Sequence, residues 1–141
     1  MSPVVLRVDP RVPGVWTAAI PFLSDALQYG GLRDWDLCHI KQMAQDGQVQ
    51  FWILVDCDEV FGACVTTEGL YPKRKVLEIL LLGTAPHSEG RWRVCMDQML
   101  AMARANGFSA LTGSGRPGWS RKLGATSERT VWEYDLGDTH E

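Results

Sequence analysis

Glu78 is the residue with the clearest potential for acid–base chemistry, because it is a lone carboxylate within an apolar run, Lys75–Leu82. Burial among leucines favours the neutral form of a carboxyl group and suits it to accept a proton. The alternative is that Glu78 lies at the solvated end of a sheet or pairs with Lys75, with Arg74 or with an arginine elsewhere in the chain. The sequence leaves both interpretations open.

A second candidate site follows this run, where the letters GTAP lead into a segment with helical spacing, Ser88–Asn106. The free N–H groups and the dipole at the start of a helix together favour a bound anion. Arg91 and Arg93 either add positive charge to such a site or remain solvated on the helix surface. We therefore expect a strand, a loop and a helix to position an anion site close to Glu78.

Two further segments combine basic and aromatic residues. Gly115–Arg121 places two arginines around Trp119, which suits an anionic ligand or a nucleic-acid backbone. A structural loop with Trp119 buried explains the same letters. Tyr71–Lys75 carries three basic residues and is either a solvated hairpin tip or a surface for an acidic partner.

The hydrophobic patterns predict the element order β-α-α-β-β-β-α-β-α-β. The fold class is α/β (α+β), a three-layer arrangement in which helices flank a mixed, mostly antiparallel sheet. In the first predicted helix Pro21 is either a kink or the first-turn residue, and Asp34 is the predicted cap of the second. Predicted strands are Val4–Val8, Gln50–Val55, Val60–Thr67, Lys75–Leu82, Phe108–Thr112 and Thr130–Leu136. Predicted helices are Val15–Gln28, Trp35–Gln45, Ser88–Asn106 and Trp119–Leu123.

Composition excludes several classes of protein. The 141 residues, 45% of them hydrophobic, predict one domain, 1–141, ending in a tail without regular structure at 136–141. A net charge of -3 gives no reason to expect a nucleic-acid partner, and no apolar run approaches the ~20 residues of a membrane helix. Four cysteines without a C-x-x-C pair indicate buried hydrophobes in a reducing, cytoplasmic compartment, and no metal site is expected.

The order of elements and their residues resembles the GNAT superfamily of acyl-CoA-dependent N-acyltransferases. The resemblance covers about residues 4–136 and is carried by EILLLGTAP, the helix ending ARANGF, and RKLGATSERTVWEYDL. A divergent branch found in bacteriophage genomes is more similar still, through four segments. These are Trp52–Leu54, Tyr71–Lys75, Leu80–Gly83 and Gly115–Arg121.

The resemblance implies that the chain binds acetyl-CoA or another acyl-CoA. The superfamily motif Q/R-x-x-G-x-G/A, which holds the CoA pyrophosphate, falls on residues 87–92. Gly90 matches this motif, whereas His87 and Trp92 depart from it and Glu89 adds a negative charge. Arg91 and Arg93 are candidates to compensate by contacting the phosphates. Main-chain groups that would hold the pantetheine belong to Leu81, Leu82, Gly83 and Thr84.

The resemblance also implies catalytic roles. Glu78 occupies a strand position from which some members take the proton of the acceptor amine. Ser120 stands where a tyrosine usually protonates the leaving thiolate, and a serine is a poorer proton donor. Tyr71 and Tyr134 are substitutes without support from a motif.

Two functions therefore remain in view. The first is an N-acyltransferase that transfers an acyl group from an acyl-CoA to an unidentified amine, in a cleft between the strands Lys75–Leu82 and Phe108–Thr112. The second is an inactive GNAT-like binding or assembly module, encoded by a phage and acting in the host cytoplasm. A protein partner and a homodimer are compatible with both, and no membrane partner is expected.

Overall fold

The computed structural model describes residues 3–29, 35–114 and 131–135, the last of these by backbone alone. Within these ranges six strands form one sheet in chain order. Every neighbouring pair is antiparallel except the fourth and fifth strands, which are parallel. The strands are β1 (Val4–Arg7), β2 (Gln50–Asp56), β3 (Glu59–Tyr71), β4 (Arg74–Thr84), β5 (Ala110–Ser114) and β6 (Val131–Asp135).

Helices cover both faces of this sheet. α1 (Val15–Tyr29) and α2 (Leu37–Gln45) enclose one core, and α3 (Glu89–Ala105) encloses the other. The predicted fold class is confirmed, as is the element order within the described residues. The expected helix at 119–123 and the tail at 136–141 lie outside them. No helix in the described ranges is long and apolar enough to cross a membrane.

Local details correct three sequence-based expectations. Pro21 lies inside α1, so the helix does not begin there. The cap of α2 is Asp36, whose side chain accepts a 2.8 Å hydrogen bond from the His39 N–H, whereas the predicted cap, Asp34, is outside the described residues. The turn expected at Gly83 and Thr84 comes later, because β4 continues through both residues.

The β2–β3 hairpin turns at Cys57 and Asp58, whose φ angles are both positive, 51° and 67°. Two consecutive residues of this conformation match the twist of a tight hairpin. Cys57 is exposed there, as is Cys38 on α2. The expectation that the cysteines are buried was wrong for these two, because each lies on a polar surface; the other two, Cys64 and Cys95, are buried.

The side chain of Gln98 on α3 covers the outer edge of β1. Its Oε1 accepts a hydrogen bond from the Val5 N–H at 2.9 Å, and its Nε2 donates to the Pro3 carbonyl at 2.9 Å. An uncovered edge strand offers such groups to other chains. The amide therefore protects this edge and fixes α3 across the sheet.

Candidate functional site

The candidate site is the opening that the sequence predicts beside β4, beyond the last residue pair that β4 forms with β5. The two parallel strands pair only from Val76–Ala110 to Ile79–Gly113. β4 then continues to Thr84, paired with β3 but with no partner in β5. The described part of β5 ends at Ser114, so one side of the β4 backbone beyond Ile79 has no strand partner among the described residues, and the predicted separation of the two strands stays a prediction.

An irregularity in β4 coincides with the end of its pairing with β5. In the pairing of β3 with β4, Thr66 faces Ile79 but Val65 faces Leu81, so Leu80 is an extra residue that forms a bulge. A bulge bends a strand and increases its local twist. The bulge at Leu80 therefore lies directly after Ile79, the last residue of β4 that pairs with β5.

Close packing of three backbones fixes the end of β4. A Cβ atom built on Gly83 would overlap the carbonyl of Phe22 in α1, and one on Gly62 of β3 would lie 2.9 Å from the Gly83 carbonyl. Glycine is required where backbones approach this closely. The strand end that borders the opening is therefore held between β3 and α1.

The first turn of α3 presents unpaired backbone donors at the same end of the sheet. The Ser88 hydroxyl donates to the Ala85 carbonyl at 2.6 Å and does not cap the helix. Consequently the N–H groups of Glu89 and Gly90 donate to no other described residue. A Cβ on Gly90 would meet nothing within 4 Å. The helix start therefore has both the donors and the space that an anion needs.

Both arginines of this turn contact protein groups. The Arg91 guanidinium lies 3.2 Å from Oε1 of Glu59 and 3.8 Å from Oδ2 of Asp56. Arg93 pairs with Glu89 at 3.3 Å, which reduces the negative charge beside the unpaired donors. Phosphate contacts by Arg91 and Arg93 stay a prediction and require both side chains to leave these partners.

Glu78 lies one residue before the end of the β4–β5 pairing and is half-buried. The pairing registers place it in one row with Thr67, Thr112 and Glu133 across four strands. Among the described residues Glu78 makes no hydrogen bond or ion pair. Lys75 is not its partner, because the Lys75 ammonium lies 4.3 Å from the centroid of the Phe108 ring. The half-buried Glu78 therefore has no protein partner in the described part of the chain.

Comparison with known proteins places this architecture. No family model and no curated protein matches the chain. Among solved structures, an acetyltransferase of the GNAT family from Desulfovibrio desulfuricans matches with a TM-score of 0.63 and 12% identity, over 96% of this chain and 100% of its own. The chain has the GNAT fold.

Two other structures that share this GNAT fold contain bound molecules. An aminoglycoside acetyltransferase from an uncultured soil metagenomic sample, in complex with sisomicin, matches with a TM-score of 0.68 and 9% identity over 90% of each chain. N-acetylglutamate synthase from Neisseria gonorrhoeae, complexed with coenzyme A and N-acetyl-glutamate, matches with a TM-score of 0.63 and 13% identity. That match covers 95% of this chain and 35% of the synthase.

Trp92 stands at the motif position where glycine or alanine is usual. This GNAT fold accommodates the larger side chain because it points into the protein. The residue is 4% exposed and lies in the core between α3 and the sheet, close to Leu54 and Leu82. Its indole is therefore buried beneath the first turns of the helix. His87, in contrast, is exposed and has a φ of 59°, a left-handed backbone that directs the chain into α3.

The predicted pantetheine segment borders the opening of this GNAT fold. It alternates between buried positions and positions of intermediate exposure. The residues of the pantetheine segment are Leu81, Leu82, Gly83 and Thr84.

Ser120 and the whole segment Gly115–Arg121 lie outside the described residues, so the role of Ser120 stays a prediction.

Sequence reasoning missed the link between α3 and the β2–β3 hairpin. Arg91 and Glu59 are 32 positions apart, and no local pattern signals their contact. The bulge at Leu80 was also missed, although a run of three leucines after Ile79 breaks the simple alternation of a strand. A break in alternation was the signal that could have revealed it.

Proposed function

We propose that this protein is an N-acyltransferase that binds acetyl-CoA or another acyl-CoA in the opening between β4 and β5 and transfers the acyl group to an amine. The observation that carries the proposal is the β4 backbone beyond Ile79, which lacks a β5 partner, near the N–H groups of Glu89 and Gly90, which have no partner in the described part of the chain. Together these features offer hydrogen bonds to an extended amide chain and to a diphosphate.

The residues present fit such a ligand. Main-chain groups of Leu81–Thr84 would bind the amides of the pantetheine arm as a neighbouring strand would. The positive end of the α3 dipole and its free donors would bind the pyrophosphate. Gly90 leaves room for close approach, since no atom would touch a side chain there within 4 Å.

Glu78 has the position and freedom of a general base. When bound, an acyl-CoA supplies a thioester carbonyl that a neutral amine can attack. An amine arrives as an ammonium ion at neutral pH, so a base must first remove its proton. Glu78 lies at the edge of the opening without a partner among residues 3–29 and 35–114, and it would accept this proton directly or through one water.

Neighbouring structures support the coarse chemistry. Those compared above include an aminoglycoside acetyltransferase in complex with sisomicin and an N-acetylglutamate synthase complexed with coenzyme A. We infer that the acceptor is an amine, and the row of Thr67, Glu78 and Thr112 suits a polar, cationic group by hydrogen bonding and charge.

Calorimetric titration with acetyl-CoA and with CoA tests the proposal. We expect saturable heat for both ligands at submillimolar concentration. Turnover is then followed by mass spectrometry of acetylated amines, since the exposed Cys38 and Cys57 would react with thiol reagents used to detect CoA. No heat at millimolar ligand would overturn the proposal.

The alternative of an inactive GNAT-like binding module has one observation in its favour. Arg91 is engaged by Glu59 and Asp56, which withdraws a cation from the phosphate position. Binding of CoA without turnover of any amine would favour this alternative. Binding with turnover would exclude it.

A further inference from the structure

A second cavity lies at the other end of α3, away from the opening. It has a volume of about 180 Å³ and is bordered by the last turn of the helix, near Met102 and Asn106, and by the start of β4, near Lys75. α3 has 17 residues, and a helix rises 1.5 Å per residue, so about 25 Å separate this cavity from the first turn of the helix. The cavity is therefore independent of the proposed acyl-CoA site.

A chain of buried hydrogen bonds fixes an amide group at its wall. The Trp52 Nε1–H donates to Oγ1 of Thr66 at 2.9 Å, and that hydroxyl donates to Oε1 of Gln50 at 2.9 Å. An indole N–H can only donate, so the single hydroxyl hydrogen is left for Gln50. The Gln50 oxygen therefore faces Thr66, and its NH₂ group is the free end.

The free amide end is suited to a ligand acceptor. Gln50 is 7% exposed, and its Nε2 donates to no other residue in the described ranges. This nitrogen is not one of the fully buried side-chain atoms that lack a partner in the described ranges, so it keeps contact with solvent. Since Gln50 lines the cavity, an acceptor atom within the cavity would complete its hydrogen bonds.

Charged groups around the cavity favour an anion. Arg7 and Lys75 border it, against one carboxylate, Glu68. The Lys75 ammonium lies above the Phe108 ring and donates one long hydrogen bond, of 3.5 Å, to the Asn106 carbonyl. An ammonium has three N–H donors, so others remain for a ligand. Glu68 limits the excess to one positive charge, which favours a monoanion over a dianion.

The remaining wall is apolar and partly aromatic, with Trp52, Leu77 and Phe108 among its residues. The volume of the cavity equals that of about six water molecules in the liquid. It is smaller than the ~300 Å³ at which pockets for drug-sized ligands begin. A flat ring with one carboxylate group fits these limits. We propose that this cavity binds a small aromatic monocarboxylate, with its carboxylate between the Gln50 amide and the Lys75 ammonium.

Calorimetry with benzoate, benzamide and benzylamine tests the proposal on the full chain. We expect benzoate to bind, and its neutral and cationic analogues to bind at least about tenfold more weakly because they lack the anionic acceptor. The Trp52 indole signal in a proton–nitrogen spectrum, assigned by its loss in Trp52→Phe, should shift with the same midpoint. Equal binding of the three probes, or an unmoved Trp52 signal, would overturn the proposal.

Matched variants locate the site. Lys75→Gln should weaken benzoate binding about five- to tenfold, whereas Lys73→Gln, the same change at the exposed β3–β4 turn, should leave it unchanged. Gln50→Glu keeps the acceptor for Thr66 but replaces the amide donors, and should abolish binding. Equal effects of the two lysine changes, or displacement of benzoate by CoA, would place benzoate elsewhere and refute the assignment.

Discussion

Arg91 of α3 and Glu59 of β3 form an ion pair, with Nη1 and Oε1 3.2 Å apart, that ties the first turn of the helix to the β2–β3 hairpin. The same guanidinium lies 4.4 Å from the centroid of the Phe61 ring. An arginine that adjoins Gly90 is thus held by the protein. The hairpin and a bound phosphate would compete for it.

Variants of this pair should change stability and ligand affinity in different ways. Glu59→Gln removes a largely exposed carboxylate, so we expect the free energy of unfolding to fall by less than about 1 kcal/mol. Acetyl-CoA should then bind about two- to fivefold more tightly, because Arg91 becomes available to phosphate. Arg91→Gln should weaken binding by at least that factor. Chemical denaturation and calorimetry measure the two effects.

The control for this pair is Asp58→Asn, in the same hairpin turn. The carboxylates that form ion pairs with Arg91 in the described residues belong to Asp56 and Glu59, and not to Asp58. Asp58→Asn should leave affinity nearly unchanged. If Glu59→Gln and Arg91→Gln shift affinity in the same direction, the guanidinium does not move from the hairpin to the phosphates.

Replacement of Glu78 tests the proposed base. Glu78→Gln should lower kcat about 10²- to 10⁴-fold and leave the KM for acetyl-CoA nearly unchanged, because it removes a proton acceptor and not a binding group. Stability should change little, since Glu78 makes no hydrogen bond or ion pair with the described part of the chain. Steady-state kinetics and thermal unfolding give these values.

Glu68→Gln is the matched control, because it neutralises a strand carboxylate that borders the second cavity and not the opening. Unchanged turnover is expected. A loss of activity as large as that of Glu78→Gln would show that charge in general, and not the Glu78 carboxylate, governs the rate.

Gly90→Ala should have opposite effects on folding and on ligand binding. The methyl group meets no atom within 4 Å, and alanine is the better helix former, so the free energy of unfolding should rise by about 0.5–1 kcal/mol. Acetyl-CoA should bind about tenfold more weakly, because the methyl group would separate phosphate from the helix N–H groups.

The reverse change at an exposed position of the same helix is the control. Ala101→Gly should lower stability by about 1 kcal/mol without altering affinity. If Gly90→Ala binds acetyl-CoA as tightly as the parent protein, no phosphate lies against this turn.

Much of the fold was predictable because its strongest patterns are local. The β2 run is apolar and bounded by turn residues, and the apolar stripe of α3 includes Trp92, Met96 and Met99, all of which are buried. Such periodicity depends only on residues near each other in the chain. It therefore identified the strands and helices that flank the opening.

Geometry at the site depended on longer-range packing. Neither the bulge at Leu80 nor the contact of Arg91 with Glu59 follows from a local pattern, because each is set by pairing between separate elements. Pro21 is accommodated within α1, although a proline removes one helical hydrogen bond. The helix there is supported by its buried face, which includes Ala19 and Leu23.

Thiol labelling should order the four cysteines by exposure and charge. The pKa of Cys57 is raised, chiefly by the hydrogen bond of its thiol with Asp56 and then by the charge of that carboxylate. A raised pKa lowers the thiolate fraction near pH 8, so Cys57 should react more slowly than exposed Cys38. Burial raises the pKa of Cys64, and raises that of Cys95 to about 11, so both should react only after unfolding.

Asp56→Asn tests the cause of slow labelling. It removes the negative charge and weakens the thiol hydrogen bond, so Cys57 should react several-fold faster. Cys38 in α2 serves as an internal standard with an unchanged rate. Peptide mass spectrometry after timed alkylation measures both rates, and an unaltered rate at Cys57 would contradict the electrostatic cause.

Gln98→Leu should destabilise the protein through the edge of β1. The change leaves the Val5 N–H and the Pro3 carbonyl without the partner that each now has at 2.9 Å. Two lost hydrogen bonds in a partly buried setting should reduce the free energy of unfolding by about 1–3 kcal/mol. Urea denaturation measures this loss.

The uncovered edge should also promote self-association, because an exposed strand edge pairs readily with another chain. Sedimentation of Gln98→Leu at rising concentration should therefore show dimers or larger species that the parent protein lacks under the same conditions. Gln42→Leu is the control, since Gln42 donates only to exposed Asp46 within α2 and its neighbouring turn. Equal destabilisation by both leucine variants would mean that lost glutamine polarity, and not the covered edge, accounts for the effect.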